Sequence, residues 1–176
     1  MDTHVVIAEK PELLRELAGL SQIVHACVHE GASVGFVLPF ELADAEAYWR
    51  ASVAPALDRR DRRLFLARLG GKLIGSVQLV LATPPNQPHR AELAMLLVHP
   101  GAHRMGVARA LIAALEVSAR AEGRRLITLE TRSGDRAEPL LLSMGYEVAA
   151  RIPGYVRDPR VERYDAMSFL FKALAP

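Results

Sequence analysis

The sequence has little of several features that would mark particular classes of protein. It contains one cysteine, Cys27, so it cannot form an intrachain disulfide and suits a reducing compartment. Its net charge is only +2, which is too weak an excess to argue for nucleic acid or for an anionic membrane surface as a partner. No stretch approaches the roughly 20 apolar residues that a transmembrane helix needs, and the N-terminal segment lacks the basic and apolar regions of a signal peptide. We therefore expect a cytoplasmic protein.

The composition is that of a soluble globular domain. The chain has 176 residues, of which 51% are hydrophobic and 24% are charged, and this balance supports a sizeable core. No internal repeat, low-complexity tract or composition shift marks a boundary. We therefore expect a single domain over residues 1–176.

Hydrophobic periodicity predicts an alternation of strands and helices. The Gly70-Gly71 pair predicts a hairpin. A strand at 91–98, a helix from Gly106 to Gly123 and a strand at 125–131 imply a parallel pair with a right-handed connection. The other predicted elements are strands at 4–8, 64–69, 72–82, 146–152 and 166–172, and helices at 11–31, 42–57 and 136–144. The helix after Gly106 is predicted to bury Val107, Leu111, Ala114, Val117 and Ala121.

The start of that helix carries charge of an unexpected sign. In "HRMGVA" (103–108) two basic side chains precede Gly106, although helix N-termini favour negative charge. Such a start suits an anion that arrives from outside, because the first N–H groups of a helix have no partner within it. Gly106 permits close approach of the backbone, Ala108 leaves the next turn uncrowded, and His103 and Arg104 can add charge-assisted contacts.

This segment resembles motif A of the GNAT N-acetyltransferase superfamily, whose pattern is Gln/Arg-x-x-Gly-x-Gly/Ala. The sequence departs from the pattern in having His103 at the first position, with Arg104 directly after it. The resemblance implies that the segment binds the pyrophosphate of acetyl-CoA. The residues that it assigns to the cofactor are His103, Arg104, Met105, Gly106, Val107, Ala108 and Arg109.

Further stretches extend the resemblance over most of residues 25–172. They are "GASVGF", "PNQPHRAELAMLLV", "LETRSG" and "RIPGYVRDP", and they are similar to a branch of the superfamily that includes the tabtoxin resistance protein. The family implies an α/β fold, with a mixed and mostly antiparallel twisted sheet flanked by helices. In that fold the parallel strands 91–98 and 125–131 splay apart. The pantetheine arm of acetyl-CoA then lies in the gap and pairs with the backbone of Leu96 and Val98.

Two glutamates in these apolar strands, Glu92 and Glu130, are the candidate catalytic bases. Glutamate is rarely buried without a partner, and the resembled branch carries acids at both positions. A pantetheine arm of about 15 Å spans about four to five strand residues, which puts the thioester near Ala94–Leu96 and Glu92 just beyond. Glu130 is expected nearer the phosphate side, where a structural role or contact with a polar part of the acceptor is the alternative. Glu92 could instead pair with Arg90.

The usual general acid of the family has no counterpart here. In "GDRAEPLLLSMGY" (134–146), Leu141 stands where many members have a tyrosine that protonates the leaving thiolate, and leucine cannot donate a proton. Tyr155, Ser143 or water could substitute. A thiolate with a pKa near about 8.5 can also leave unprotonated at modest cost.

The acceptor pocket is predicted from the loop 31–40 and the later stretch "IPGYV". Ser33, Phe36 and Tyr155 are the candidate substrate-binding residues, and packing of the aromatic rings in the core is the alternative. His25 and His29 stand one helical turn apart, but no third ligand accompanies them, so we expect no metal.

These features predict an acetyl-CoA-dependent N-acetyltransferase that acts on the amine of a small molecule, for which an amino-acid-like metabolite or an antibiotic is a candidate class. A non-catalytic acyl-CoA-binding or sensing domain is one alternative, which the missing tyrosine favours. An enzyme that acetylates proteins is another. Final strands such as "DAMSFLFKAL" often pair subunits in the family, so a homodimer is a candidate assembly.

Overall fold

The computed structural model describes residues 3–175 as one sheet with helices on both faces. The strands are β1 (Thr3–Ala8), β2 (Arg62–Leu69), β3 (Lys72–Val80), β4 (Arg90–Val98), β5 (Leu126–Arg132), β6 (Glu147–Arg157) and β7 (Tyr164–Ala173). The α-helices are α1 (Lys10–Arg15), α2 (Leu17–His29), α3 (Leu42–Tyr48), α4 (Ala54–Asp58), α5 (Val107–Ala121) and α6 (Ala137–Ser143). A π-helical turn at Trp49–Val53 joins α3 to α4, and a 3₁₀ turn occupies Pro100–Ala102.

The sheet is mixed, and the one parallel contact among residues 3–175 is the pair of strands that borders the site. The strand order is β1-β2-β3-β4-β5-β7-β6, and neighbours pair antiparallel except β4 and β5. Those two strands pair only over Arg90–Glu92 and Leu126–Thr128. The predicted mixed α/β fold with a splayed parallel pair is therefore confirmed.

Two helical layers explain why the central strands are apolar at almost every position. Leu64 and Leu66 of β2 pack with the α1–α4 layer, and Phe65 and Ala67 pack with α5. A strand that is covered on both faces reads as a continuous hydrophobic run. Within residues 3–175 no helix has the length and hydropathy needed to cross a membrane.

The buried side of α5 differs from the predicted one at its C-terminal half. The first three predicted residues pack against the core, but the prediction is wrong for Val117, which is 67% exposed, and for Ala121. Glu116 is buried instead, because Lys172 of β7 donates to both of its carboxylate oxygens at 2.8 Å. The hydrophobic periodicity of a helix contains no information about a charged partner on a strand that is distant in sequence.

Two long predicted helices are each interrupted. The first is divided into α1 and α2 at Glu16, whose carboxylate accepts a hydrogen bond from Arg68 of β2 at 2.8 Å. The second is divided ahead of Pro55, which has no N–H to continue the ladder. The N–H of Ala54 bonds to the carbonyl of Trp49, five residues earlier, and this makes the π turn.

Candidate active site

The centre of the site is the point at which β4 turns away from β5. A β-bulge lies here, where Met95 and Leu96 together face Val77 of β3. Met95 has a φ of 51°, in the left-handed region that non-glycine residues rarely adopt. A bulge bends its strand and leaves backbone groups outside the ladder. The bulge therefore opens the gap between the strands and offers backbone groups to a ligand there.

A first cavity of about 330 Å³ fills this gap. Residues 92–96 of β4 and residues 129–131 of β5 form its two sides. Residues 33–35 of the loop between α2 and α3, Leu141 of α6 and Tyr155 of β6 also line it. The cavity has the size of a small-molecule site and follows the strand that leads to α5.

A second cavity of about 370 Å³ adjoins the first. It shares Glu92, Leu129 and Glu130 with the first cavity, and Phe169–Phe171 of β7 and Ala149 of β6 contribute most of the remaining wall. Both glutamates therefore lie where the two cavities meet.

The start of α5 follows the end of β4 along the chain. Gly106 precedes the helix with a φ of 78°, and no side chain caps it. The first backbone bond of the helix is donated by Ala110 to the carbonyl of Gly106, so the N–H groups of Val107, Ala108 and Arg109 have no partner in the helix. A Cβ added at Gly106 would meet no atom within 4 Å. Open space thus lies over a set of free donors, as an anion-binding helix start requires.

His103 is held by two contacts just before this helix. Its Nε2 donates to the carbonyl of Val98 at 3.1 Å, and its Nδ1 accepts from Arg136 at 2.7 Å. Because a carbonyl only accepts, this geometry assigns the proton to Nε2. Both ring nitrogens are engaged, so His103 acts here as a support for the Arg136 guanidinium. Arg136 is exposed and adds a cation beside the exposed Arg104.

The remaining residues that the sequence assigns to the cofactor lie along the same path. Leu96 lines the first cavity, and the carbonyl of Val98 accepts from Cys27 Sγ at 3.3 Å as well as from His103. Met105 is 53% exposed, the side chain of Val107 is buried, and Ala108 is half-buried. Arg109 donates to Ser143 of α6 at 2.7 Å.

The two candidate bases differ in their surroundings. Glu92 is 46% exposed and lies 3.9 Å from the guanidinium of Arg90, a loose contact. That guanidinium donates to Thr128 at 2.8 Å. Glu130 is exposed to the cavities and has no ion-pair partner among residues 3–175. Partial burial, and then the nearby charge of Glu92, raise the pKa of Glu130 above its ordinary value.

The strand register sets the order of the two glutamates along the cleft. Glu92 pairs with Thr128, and Glu130 follows two residues later on the same face of β5. Glu130 therefore lies further towards the α5 end than Glu92 does.

The candidate proton donors near the cleft are Ser143 and Tyr155, because the leucine at position 141 cannot donate a proton. Leu141 is fully buried in the wall of the first cavity. Ser143, one candidate proton donor, is held between Arg109 and the carbonyl of Leu140. Tyr155 lines the first cavity, 51% exposed, with its ring packed edge-on against Phe169 at 5.3 Å between centroids.

The acceptor loop, residues 31–40, contributes only part of what the sequence predicts. Ser33 lines the first cavity. Phe36 lines neither of the two cavities and packs with Phe40 at 4.6 Å and with Tyr48 at 5.3 Å. Its ring contributes to the helical layer, in keeping with the alternative that the sequence left open.

A buried ion network fastens the acceptor loop to β5. Arg132 donates to the carbonyl of Gly31 at 2.9 Å and to Asp158 at 3.1 Å. Asp158 is fully buried in the β6–β7 connection, where it also accepts from Arg163 at 2.8 Å. The N–H of Leu38 bonds to the carbonyl of Pro159 in the same connection at 2.8 Å. The loop is thereby fixed beside the strand that carries Glu130.

No group of three or more His, Cys, Asp or Glu side chains among residues 3–175 is placed to hold a metal ion. The rings of His25 and His29 stack on each other at 4.0 Å between centroids. His29 Nε2 donates to the carbonyl of Phe40 at 2.9 Å, so it contributes to the structure of the loop.

Sequence reasoning did not single out Arg136, Arg132 or the bulge. Arg136 stands in the "GDRAEP" helix start, and its basic charge at the end of a predicted splayed strand was an available signal. Arg132 is the arginine of "LETRSG", but its partner Asp158 is 26 residues away. The conformation of Met95 has no sequence signal, because glycine would be expected at a positive φ.

A cleft of this kind defines a class of protein. Free N–H groups and cations at one end suit a pyrophosphate, the strand edges suit an extended arm, and carboxylates at the other end suit an amine. This is the arrangement of an acyltransferase that uses a coenzyme A thioester.

Comparison with known proteins agrees with this class and identifies the family. The chain belongs to the Acetyltransferase (GNAT) family, whose model matches residues 21–146. It is thus a GNAT N-acetyltransferase that depends on acetyl-CoA.

Individual relatives support the same assignment. An uncharacterised N-acetyltransferase from the hisH–hisA intergenic region of Azospirillum brasilense is 34% identical over 154 residues, covering 84% of this chain and 89% of the relative. An N-acetyltransferase structure from Staphylococcus aureus Mu50 superposes with a TM-score of 0.80 at 17% identity, covering 99% and 100%. A Salmonella typhimurium structure that contains its cofactor acetyl-CoA superposes with a TM-score of 0.78 at 18% identity, covering 98% and 94%. These two structures share the fold.

Proposed function

We propose that this enzyme transfers the acetyl group of acetyl-CoA to the amine of a small molecule that binds between the acceptor loop and β5–β7. The observation that carries the proposal is the β-bulge at Met95, which opens β4 away from β5. The opening lies along β4 next to Glu92 and Glu130, and the same strand leads on through the turn at 99–106 to the free N–H groups of α5.

Acetyl-CoA supplies the acetyl group as a thioester. In the transfer, the amine nitrogen bonds to the acetyl carbon and the carbon–sulfur bond breaks. The substrate ammonium loses two protons, of which one goes to the sulfur of CoA and one goes to solvent. Residues of this chain have to make that exchange favourable. An alkylammonium with a pKa of about 10.4 costs roughly 4.5 kcal/mol to deprotonate at pH 7. A carboxylate close to the amine lowers that cost by accepting the proton, directly or through water.

Glu92 and Glu130 are the proposed bases. Both lie at the junction of the two cavities. The raised pKa of Glu130 makes it a stronger proton acceptor than an ordinary glutamate, and Glu92 lies 3.9 Å from the guanidinium of Arg90. Tyr155 is the proposed proton donor to sulfur, since it lines the first cavity and Ser143 is engaged elsewhere.

The residues of the cleft fit acetyl-CoA. The N–H groups of residues 107–109 face the open space over Gly106 and would hold the pyrophosphate, with Arg104 and Arg136 beside them. The strand edge at Leu96 would hold the pantetheine arm, whereas the carbonyl of Val98 is already occupied by Cys27 and His103. The side chains of Met105 and Val107 carry no charge, so these two residues would contact the pyrophosphate through their backbone.

Binding of CoA to two matched glycine variants tests the proposal. Gly106 and Gly123 lie at opposite ends of α5, with φ of 78° and 72°, and an added Cβ meets nothing within 4 Å at either. Gly106→Asp and Gly123→Asp therefore carry similar backbone strain. We expect calorimetry to show CoA affinity reduced at least roughly tenfold by Gly106→Asp only, through lost anion contacts. Thiol release from acetyl-CoA with small amines then measures transfer. Absence of CoA binding in the wild type would overturn the proposal.

One observation favours a second candidate function, a non-catalytic acyl-CoA-binding domain. Leu141, fully buried in the cleft wall, has no proton to give where the resembled family has a tyrosine. This candidate predicts tight CoA binding with no thiol release for any amine. If the wild type releases thiol and Tyr155→Phe abolishes that release, the enzyme is favoured, because such a loss requires that Tyr155 act as a proton donor in the wild type.

Several sequence predictions stay predictions at this stage. They are the branch that includes the tabtoxin resistance protein, a role in antibiotic resistance, a cytoplasmic location, a homodimer, and a single domain over residues 1–176.

A further inference from the structure

The junction of the two cavities carries negative charge that its walls do not balance. Among the described lining residues of both cavities, Glu92 and Glu130 are charged and none is basic. Arg90 is the nearest cation to Glu92, at 3.9 Å, and it already donates to Thr128 and to Gln87. A ligand that supplies positive charge would therefore be favoured here, and one that brings a further carboxylate would be opposed.

The basic side chains of the cleft lie at its opposite end. Arg104 and Arg136 stand beside the start of α5, where acetyl-CoA places its phosphates. Charge is thus segregated along the cleft, with cations for the cofactor and carboxylates for the acceptor. The acceptor end offers no arginine or lysine, among the described lining residues, to pair with a carboxylate of the substrate.

The second cavity also has an apolar floor. Phe169 and Phe171 are half-buried on the face of β7 that carries no helix of the α5 layer, and Tyr155 packs against Phe169. Aromatic walls favour an apolar or aromatic body in the ligand. The cavity volume of about 370 Å³ suits a small molecule.

We propose that the acceptor is a primary amine with an apolar or aromatic body and no carboxylate group. This inference rests on the proposed acetyl transfer and narrows it, because an α-amino acid would bring its own carboxylate next to Glu92 and Glu130. The amine would bind as a cation beside Glu130, with its body against Phe169 and Phe171.

Matched pairs of compounds test the class directly. Phenethylamine and phenylalanine, tyramine and tyrosine, and isopentylamine and leucine differ within each pair only by the carboxylate. We expect kcat/KM for acetyl transfer to favour the amine of each pair by roughly ten- to hundredfold. Phenylalaninamide keeps bulk on the α-carbon without the charge, so it should resemble phenethylamine if charge rather than size is the cause.

Binding without turnover gives a second readout. With CoA in place of acetyl-CoA, calorimetry should show each amine binding at least roughly tenfold more tightly than its amino acid. Glu130→Gln should weaken binding of the amine and reduce the ratio within each pair towards one. Glu46→Gln, which changes an exposed glutamate of α3, should leave the ratio unchanged.

The outcomes separate this inference from the proposed function. Equal or better use of the amino acids, or a ratio that Glu130→Gln does not change, would overturn the inference while acetyl transfer stands. CoA binding with no binding of any of the amines would also overturn it. Failure of CoA itself to bind would overturn the proposed function.

Discussion

At the scale of single residues, the protonation of Glu130 is a property of its surroundings. Its pKa is raised by partial burial in the cleft and then by the charge of Glu92. A raised carboxyl pKa in the folded state means that the stability contributed by the protonated form is lost as the pH rises through that pKa. The ionised Glu130 therefore opposes folding at neutral pH.

Glu130→Gln removes that cost and should stabilise the protein at neutral pH. We expect the melting temperature at pH 7 to rise by about 1 to 2 °C, because the charge is more than a third exposed and solvent screens it. The gain should fall towards zero at about pH 3, more than a unit below the ordinary glutamate pKa of about 4.3, where the wild-type carboxyl is protonated in both states. Thermal unfolding followed by circular dichroism at both pH values measures this.

A double-mutant cycle identifies the source of the gain. If repulsion from Glu92 contributes, Glu92→Gln combined with Glu130→Gln should stabilise less than the sum of the single changes. A lower melting temperature for Glu130→Gln at pH 7 would contradict the account, since it would make the charge stabilising.

At the scale of elements, the acceptor loop depends on a buried ion network in the β6–β7 connection. Asp158 accepts from the N–H of Arg160 and from the guanidinium groups of Arg132 and Arg163. The N–H of Arg160 and the surrounding arginines hold the pKa of Asp158 below its usual range, against the effect of burial. A lowered carboxyl pKa gives stability that is present above the ordinary pKa and is lost as the pH falls through the folded-state pKa.

Asp158→Asn should therefore destabilise the protein at neutral pH and loosen the loop. Leaving the arginines without their buried carboxylate should cost about 2 kcal/mol, or about 4 to 8 °C in melting temperature at pH 7. The difference from wild type should shrink below about pH 4. Because Arg132 also holds Gly31, KM for the amine should rise more than KM for acetyl-CoA.

Asp61, an aspartate whose side chain is partly exposed, is the control for the effect of burying Asp158. Asp61→Asn changes a surface pair with Arg59 at 2.6 Å and should shift the melting temperature by less than about 2 °C. An equal loss of stability in the two variants would mean that burial of Asp158 has no special role.

An element can be predicted from the sequence when the residues that determine its structure are close to it in the chain. The Gly70-Gly71 hairpin and the apolar runs of β4 and β5 are specified by neighbouring residues, and these predictions are confirmed. The exposed Val117 is different, since the buried face of α5 is fixed by Lys172 of β7.

The same distinction applies to the site. Pairing of the parallel strands is enough to bring Glu92 and Glu130 into one cleft. The second contact of His103 comes from Arg136, 33 residues away, and this was beyond any local pattern. The sequence left two environments open for Phe36, the acceptor pocket and the core, and in the structure its ring packs with Phe40 and Tyr48, which are brought to it by the fold.

At the scale of the whole molecule, the boundary between β4 (Arg90–Val98) and β5 (Leu126–Arg132), here called the β4–β5 seam, has two different ends. The strands are hydrogen-bonded at one end and separated at the other. Three paired positions join the strands at Arg90–Glu92, and beyond Glu92 the facing edges line the first cavity. Unpaired strand edges are the places where backbone amides exchange most readily with solvent. A ligand that occupies the gap joins the two edges and adds its binding free energy to the stability of the folded state.

Hydrogen exchange with and without CoA should therefore show protection concentrated along this seam. We expect exchange to slow at least roughly tenfold at residues 94–98 and 106–109 once CoA is near saturation. Exchange at Gly123, at the opposite end of α5 from Gly106, should be unchanged. At the same CoA concentration Gly106→Asp should reduce the protection, because it removes anion contacts without changing a residue of β4. Protection spread evenly over the chain, or absent from 94–98 while calorimetry shows CoA bound, would place the cofactor outside the divided end of the sheet.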